Sequence, residues 1–242
     1  MCGVMLPVSQ TEAKGTKGMT QDQTGKTVRK GGRSLGRPRG GSPREDRLDD
    51  VLEVATRLFR ERGFRATRLD DISDDLGVTR AALYYYFDGK AEILEEICVR
   101  AMASSEAALR DVQVLDDPAE RLLSFGKVYA RNMSSDAARV FFRDNGELKA
   151  SSRRALMARA RAINEGAEAI IRYGIEHGDF ADDIDVRHSA LGFLGMLNSL
   201  AEWYRPNRDG DFDDVVAQMV RLIVEGVAKR PAKTRKRRAA KS

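Results

Sequence analysis

Between residues 45 and 228 apolar side chains recur three and four positions apart, and the alternation that marks strands is nearly absent, so the spacing predicts an all-helical chain. A first stripe, Leu48, Val51, Leu52, Ala55, Leu58 and Phe59, lies along one face of a helix. It ends at Gly63, which can take the left-handed conformation that closes a helix, with Phe64 placed to pack back on it. Leu69, Ile72 and Leu76 give a short second helix, begun by a capping pattern at Thr67 and Asp70 and stopped by Gly77. Val78 can plug the corner, and Thr79 caps a third helix whose inward residues are Leu83 and Phe87. Two short helices joined by a glycine turn make a helix-turn-helix.

Further helices are predicted at about 90–113, 117–134, 136–148, 151–177, 186–204 and 212–227. Asp116-Asp117-Pro118 is a helix start with proline in the first turn, Gly178 is a stop, and Tyr204-Arg205-Pro206-Asn207 ends the next helix. The stretch 190–201 is apolar nearly all round and so must be buried on more than one side. With Phe212, Val215, Val216, Met219, Val220, Ile223 and Val224, it can build a four-helix interface with the same helices of a second copy. The chain therefore divides into a basic arm (1–44), a three-helix helix-turn-helix domain (45–91), a C-terminal helical bundle (92–228) and a basic tail (229–242).

The outer face of the third helix is hard to explain as ordinary surface. Tyr84, Tyr85 and Tyr86 cannot all face the core, and a phenol offers an apolar ring with a hydroxyl that can bond a phosphate oxygen. Arg80 at the helix start can reach guanine O6 and N7 in a major groove, while Ala81 and Ala82 allow close approach to base edges. Lys90 places a cation at a helix N-terminus, where it opposes the macrodipole; a nearby phosphate would reverse that penalty, and the free amides there suit an anion. The aspartates Asp70, Asp71, Asp74 and Asp75 are too few converging oxygens for a hard cation, and their face is expected to point away from DNA.

Charge sharpens this picture. The net +5 is distributed as +6 over residues 1–45 and +8 over 229–242, which leaves −9 between them. Such tails cannot bury enough apolar surface to order themselves, and they suit a polyanion; solvated tails without a specific role are the plain alternative. The translation start is open between Met1, Met5 and Met19. Two cysteines, Cys2 and Cys98, make neither a disulfide framework nor a zinc site. Without an apolar span or signal stretch, a reduced cytoplasmic protein with no membrane partner is expected.

The run Gly63-Phe64-Arg65-Ala66-Thr67, Asp71-Ile72, Leu76-Gly77-Val78-Thr79 and Leu83-Tyr84-Tyr85-Tyr86-Phe87, closed by Lys90, resembles the TetR family of bacterial transcription regulators over about 50 residues. The resemblance implies a regulator that binds double-stranded operator DNA as a homodimer and releases it, as a repressor, on binding a small apolar effector. Carried over by position, it implies groove contacts for Arg80, Ala81 and Tyr84, phosphate contacts for Thr67, Tyr85, Tyr86 and Lys90, and a place for Thr79 at the same DNA-binding surface. Tyr86 stands where many members have histidine, and packing against a neighbouring helix is the alternative for each tyrosine. Arg37 and Arg39 resemble the arms that members lay in the minor groove.

Phe125, Tyr129, Phe141, Phe142, Phe193, Met196, Asn198 and Trp203 are candidates for an apolar effector pocket with sparse polar anchors, against the alternative of plain core packing. The Trp203-Tyr204-Arg205-Pro206 ending is similar to the branch that regulates lipid or sterol catabolism through acyl-CoA thioesters. Arg153, Arg154, Arg159 and Arg161 are then candidates for the CoA phosphates, or simply a solvated basic face. Two rival classes are weighed. A di-iron bundle enzyme needs two Glu-x-x-His motifs, whereas the chain has two histidines in all, His177 and His188, and no catalytic motif; no cofactor or metal is expected. A nucleoid-coating DNA binder would rest on the basic tails alone.

Overall fold

The computed structural model describes residues 43–228. Arg37, Arg39 and the basic run 233–238 lie outside the described residues, as do 1–42 and 229–242 as a whole. Among the described residues eleven α-helices and two short 3-10 turns follow one another, and the only extended pairing is a bridge between Phe180 and Ala228.

Helices α1 (Pro43–Arg62), α2 (Leu69–Leu76) and α3 (Arg80–Tyr84) form the N-terminal unit. The α1 stripe is buried from Val51 to Phe59, with Leu48 half-buried ahead of it, and Phe64 turns its ring edge-on to Phe59 at 5.3 Å. Gly77 has φ of +67°, and the amide after it, Val78 N, bonds Ser73 O at 3.0 Å. That backward bond needs a left-handed residue at the corner, so a side chain at Gly77 would strain the turn. Ile72, Leu83 and Phe87 close the small core against α1.

One detail of α2 differs from expectation. Its N-cap is Arg68, whose amide donates to Asp71 Oδ2 at 2.7 Å, and Thr67 is not the cap. Thr67 is fully buried, and its hydroxyl donates to Gly63 O at 2.9 Å across the preceding turn.

Helix α4 (Lys90–Asp111) belongs to both halves, packing on α1 at one end and on the bundle at the other. The bundle comprises α5 (Pro118–Met133), α6 (Asp136–Asp144), α7 (Ala150–Glu176), α8 (Val186–Asn198), the short α9 (Leu200–Trp203) and α10 (Pro206–Asp209), and α11 (Phe212–Val227). Asp117 caps α5 with Pro118 in its first turn, and Ser135, Asp185 and Asp211 cap α6, α8 and α11 through their side chains. Helix α7 runs 27 residues and ends before Gly178 at φ of +82°. Phe180 then folds back onto Gly174, where a Cβ would lie 2.3 Å from its ring; the missing side chain is what lets the chain double back there.

Arg121 is buried without a carboxylate. Its guanidinium donates to Leu115 O at 2.6 Å and Gln113 O at 3.0 Å and lies 3.5 Å from the centre of the Tyr173 ring, so carbonyl dipoles and a π face stand in for a counter-ion.

Polar contacts tie α6 and the 3-10 turn after it to the N-terminal unit. Arg143 donates to the carbonyls of Phe59 and Arg60 at the end of α1, Arg60 pairs with Asp136 at 3.1 Å, and Arg65 pairs with Glu147 at 2.8 Å. No helix among the described residues is long and apolar enough to cross a membrane.

Candidate functional site

Two regions carry chemistry: the outer face of α3 and a cavity in the bundle. On α3, Thr79 accepts from Ala82 N at 3.3 Å and fixes the helix start, while Leu83 and Phe87 anchor the inner side. This leaves Arg80, Ala81, Tyr84 and Tyr85 together on one exposed surface, with Tyr84 46% and Tyr85 70% exposed. The two rings are adjacent and make one contiguous exposed patch, the kind of surface that marks an interaction site. Tyr86 is half-buried against the core, with its ring edge-on to Tyr85 at 5.1 Å.

Arg80 is held in place by its own neighbours. It donates to Asp70 Oδ2 at 3.2 Å and to the Tyr84 hydroxyl at 3.1 Å, and its guanidinium lies 5.5 Å from the Tyr84 ring centre. The phenol and then the Asp70 charge both raise its pKa, so it stays cationic. The expectation that the aspartates of α2 face away from the reading surface fails for Asp70, because α2 and α3 cross with their first turns together. Asp71 serves the α2 cap and Asp75 pairs with Arg57 at 2.5 Å, so no converging acidic site forms. No group of three or more metal-ligating side chains converges among the described residues.

Two expected phosphate contacts point inward instead. The Thr67 hydroxyl is spent on Gly63 O, so it offers nothing to DNA in this geometry. Lys90 reaches back from α4 to the carbonyls of Phe64, Arg65 and Thr67 at 2.7, 3.2 and 2.9 Å, with Nζ 4.4 Å from the Phe64 ring centre. An ammonium has three donors, and all three are committed. Lys90 is thus a sound structural choice after all: it satisfies carbonyls that the turn after α1 leaves without amide partners. At the same helix end Glu92 accepts from Asp88 N at 2.6 Å, which places a carboxylate where an anion was expected to bind.

The cavity, of about 350 Å³, is walled by α4, α5, α6, α7 and α8. Of the expected pocket residues, Tyr129, Phe141, Phe142 and Asn198 line it. Phe125 and Phe193 do not; both are fully buried, their rings tilted against each other at 6.2 Å between α5 and α8, and belong to the core. Met196 and Trp203 do not line it either; Trp203 is exposed, and its Nε1 donates to Ser199 Oγ at 3.0 Å. The walls missed from sequence are Cys98 and Met102 on α4 and Ala160, Ile163 and Asn164 on α7. Their signal was a helix face of small and medium side chains at three-and-four spacing, which reads equally well as core. On α8 the lining stripe is Leu191, Leu194, Gly195 and Asn198.

No lining residue carries a charge. Burial pushes the Tyr129 phenol up to about 12 against an opposing hydrogen bond from Asn198. Burial, helped by the charges of Asp144 and Glu95, pushes the Cys98 thiol up to about 12. Both groups are therefore protonated at physiological pH. Since the thiolate is the nucleophile, Cys98 should resist iodoacetamide at about pH 8 in the folded chain and react once urea unfolds it, as read by peptide mass. Equal labelling rates before and after unfolding would contradict the burial that produces the shift.

Of the α7 arginines offered for phosphates, Arg159 is already engaged, pairing through two bonds with Glu106 at 2.6 and 2.7 Å. Arg153, Arg154 and Arg161 are exposed. A second, open groove where α1, α4 and α6 meet shares Ala101 with the cavity wall and carries Arg57, Arg60 and Arg100. Each of the three is paired with carboxylates, so the groove is not a free basic surface.

Both halves of the chain have counterparts among known proteins. Residues 51–97 match the family described as bacterial regulatory proteins, tetR family, and residues 115–227 match the tetracyclin repressor-like C-terminal domain. The HTH-type transcriptional repressor KstR2 of Rhodococcus jostii strain RHA1 is 29% identical over 192 residues, covering 77% of this chain and 94% of that protein. The TetR family regulator PfmR from Thermus thermophilus superposes with a TM-score of 0.67 at 31% identity, covering 74% of this chain and 99% of PfmR. AibR, solved in complex with isovaleryl coenzyme A and operator DNA, superposes with a TM-score of 0.61 at 26% identity, covering 73% of this chain and 97% of AibR.

Proposed function

Because the chain belongs to the TetR family of DNA-binding transcription regulators, we propose that it is a repressor which binds a palindromic operator as a homodimer and leaves it when an apolar effector enters the bundle cavity. Residues 45–91 form the DNA-binding unit and 92–228 the sensing and dimerising unit. Arg80, Ala81 and Tyr84 read the groove, Thr79 sets the helix start against it, and Tyr85 with the outer edge of Tyr86 meets the backbone. A repressor role is supported by the likeness to KstR2, and an acyl-CoA effector by the likeness to AibR.

One observation carries the proposal: the cavity walls and the supports of α1 are the same helices. Helix α6 contributes Phe141 and Phe142 to the cavity and, one residue on, Arg143 to the end of α1. Helix α4 lines the cavity with Cys98 and packs its first turns on α1. An effector that parts α4 from α6 therefore tilts the N-terminal unit. In a dimer two recognition helices must enter major grooves about 34–36 Å apart, so a modest tilt abolishes simultaneous contact. For the second copy, α11 offers Leu222, 66% exposed, and α8 offers the half-buried Met196.

Native mass spectrometry of the full chain tests the stoichiometry and gives the mass of any co-purified small molecule; two chains per particle are expected, and a monomer at all concentrations would overturn the dimer. A variant then separates sensing from DNA binding. A Cβ at Gly195 would meet no heavy atom within 4 Å, and the residue sits on the lining stripe of α8. Gly195→Leu should stabilise the chain by about 1 kcal/mol through helix propensity while filling the lumen. It should bind DNA like the unmodified chain but no longer release it when the identified effector is added, as read by fluorescence anisotropy. Release at the unmodified effector concentration would place sensing elsewhere.

A further inference from the structure

The outer face of α3 carries a carboxylate that its own helix does not supply. Asp70, in the first turn of α2, is exposed, and its Oδ2 accepts from Arg80 Nη1 at 3.2 Å while Arg80 Nη2 donates to the Tyr84 hydroxyl at 3.1 Å. A negative charge at that place works against a polyanion. The start of α2 does not account for it, because Asp71 rather than Asp70 makes the cap bond, accepting from the Arg68 amide at 2.7 Å.

We propose that Asp70 sets the sequence selectivity of α3: it holds Arg80 for base edges and cancels the attraction of that arginine for phosphates at large. This rests on the reading of α3 as the helix that enters the groove. A free arginine sweeps a wide arc and pairs with whichever phosphate comes near, which tightens binding to every sequence alike. Clamped between a carboxylate and a phenol, the Arg80 guanidinium offers a phosphate little, and the phosphate meets the Asp70 charge as well. A guanine edge is different. Two of the five guanidinium N–H donors are engaged, and the others remain for O6 and N7, neutral acceptors that Asp70 does not repel as it repels a phosphate. Holding the side chain in advance also lowers the ordering cost at a matching base. Specificity is a difference of affinities, and here the attractive contact belongs to α3 while the repulsive element belongs to α2.

The test is fluorescence anisotropy of full-length Asp70→Ala over a salt series on two duplexes, the sequence that the unmodified chain enriches from a randomised pool and a shuffled version of it. Affinity for the shuffled duplex should rise about tenfold at about 0.1 M salt. The slope of log affinity against log salt should steepen by about one to two units, about 0.9 for each phosphate that a freed Arg80 takes up in the dimer. Affinity for the enriched duplex should stay within about threefold, so the ratio between the two falls about three- to thirtyfold. The pair is exposed, 54% on each side, so the unfolding temperature should stay within about 3 °C of the unmodified chain and shows that the variant folds. Asp74→Ala removes an equal charge from an exposed position on the same helix that does not pair with Arg80, and it should leave the ratio within about twofold.

An unchanged ratio or an unchanged salt slope in Asp70→Ala would overturn the inference, and so would an equal fall of the ratio in Asp74→Ala, which would make the effect one of bulk charge. In each of those cases α3 still reads DNA. An unmodified chain that enriches no sequence from the pool would overturn that reading as well.

Discussion

Alanine at both Arg80 and Tyr84 is expected to abolish sequence-selective DNA binding while leaving the fold intact. Arg80 bonds both Asp70 and the Tyr84 hydroxyl on the outer face of α3, and neither Arg80 nor Tyr84 contributes to the core formed by Leu83, Phe87 and Ile72. Their removal should therefore shift the unfolding temperature by no more than about 2 °C. On DNA the effect is large. A bidentate arginine contact to guanine is worth about 1–3 kcal/mol, and a dimer makes it twice, so affinity should fall about 30-fold to 10⁴-fold. Fluorescence anisotropy on a duplex carrying the sequence the unmodified chain prefers would read the loss. Residual non-specific binding should persist, because phosphate attraction does not depend on these residues. An unchanged affinity would remove α3 from the reading role.

The second large effect is at Lys90. Replacement by Met keeps the aliphatic stem against Phe64 but withdraws three donors from the carbonyls of Phe64, Arg65 and Thr67. Hydrogen bonds from a charged donor contribute about 1.5–3 kcal/mol each in favourable settings, and this ammonium is only half-buried, so a loss of about 2–4 kcal/mol is expected for the set. The loss should be local. Amide hydrogen exchange should quicken across α1 to α3, DNA binding should weaken with it, and binding in the cavity should be unaffected. A phosphate-contacting role predicts a different result: unchanged exchange, and a fall in the salt dependence of DNA binding by about one unit per contact. The two outcomes do not overlap, so one variant decides between staple and contact.

Lys90 also shows where sequence reasoning ends. A lysine at a helix start looks misplaced when only its own helix is considered, but its partners lie 23 to 26 residues earlier in the chain. Thr67 is the mirror case, a hydroxyl assigned to the surface that is spent one turn back along its own backbone. The punctuation of the helices was legible because it is local. Gly63, Gly77 and Gly178 take positive φ where the apolar pattern breaks, and Asp117 with Pro118 starts α5. The inward and outward sides of α3 were legible for the same reason, since Leu83 and Phe87 lie four apart and leave Tyr84 and Tyr85 facing out.

The cavity was only half visible. Tyr129, Phe141, Phe142 and Asn198 were found, whereas Phe125 and Phe193 were misassigned, because an aromatic at helical spacing fits a lumen and a core equally well. What separates them is which of five helices faces each ring, and no single-helix pattern contains that. Asp70 was misplaced for a related reason. Its approach to Arg80 depends on how α2 crosses α3, which the glycine turn permits but does not set.

The central claim, that this chain recognises a specific DNA sequence through paired copies of α3, is tested most directly by sequencing the duplexes that the full chain retains from a randomised pool. The account predicts one enriched inverted repeat whose half-site centres are about 34–36 Å apart along one face, or a whole multiple of that spacing. A retained pool with no more sequence bias than the input would contradict it, and would describe instead a protein held to DNA by its basic tails alone.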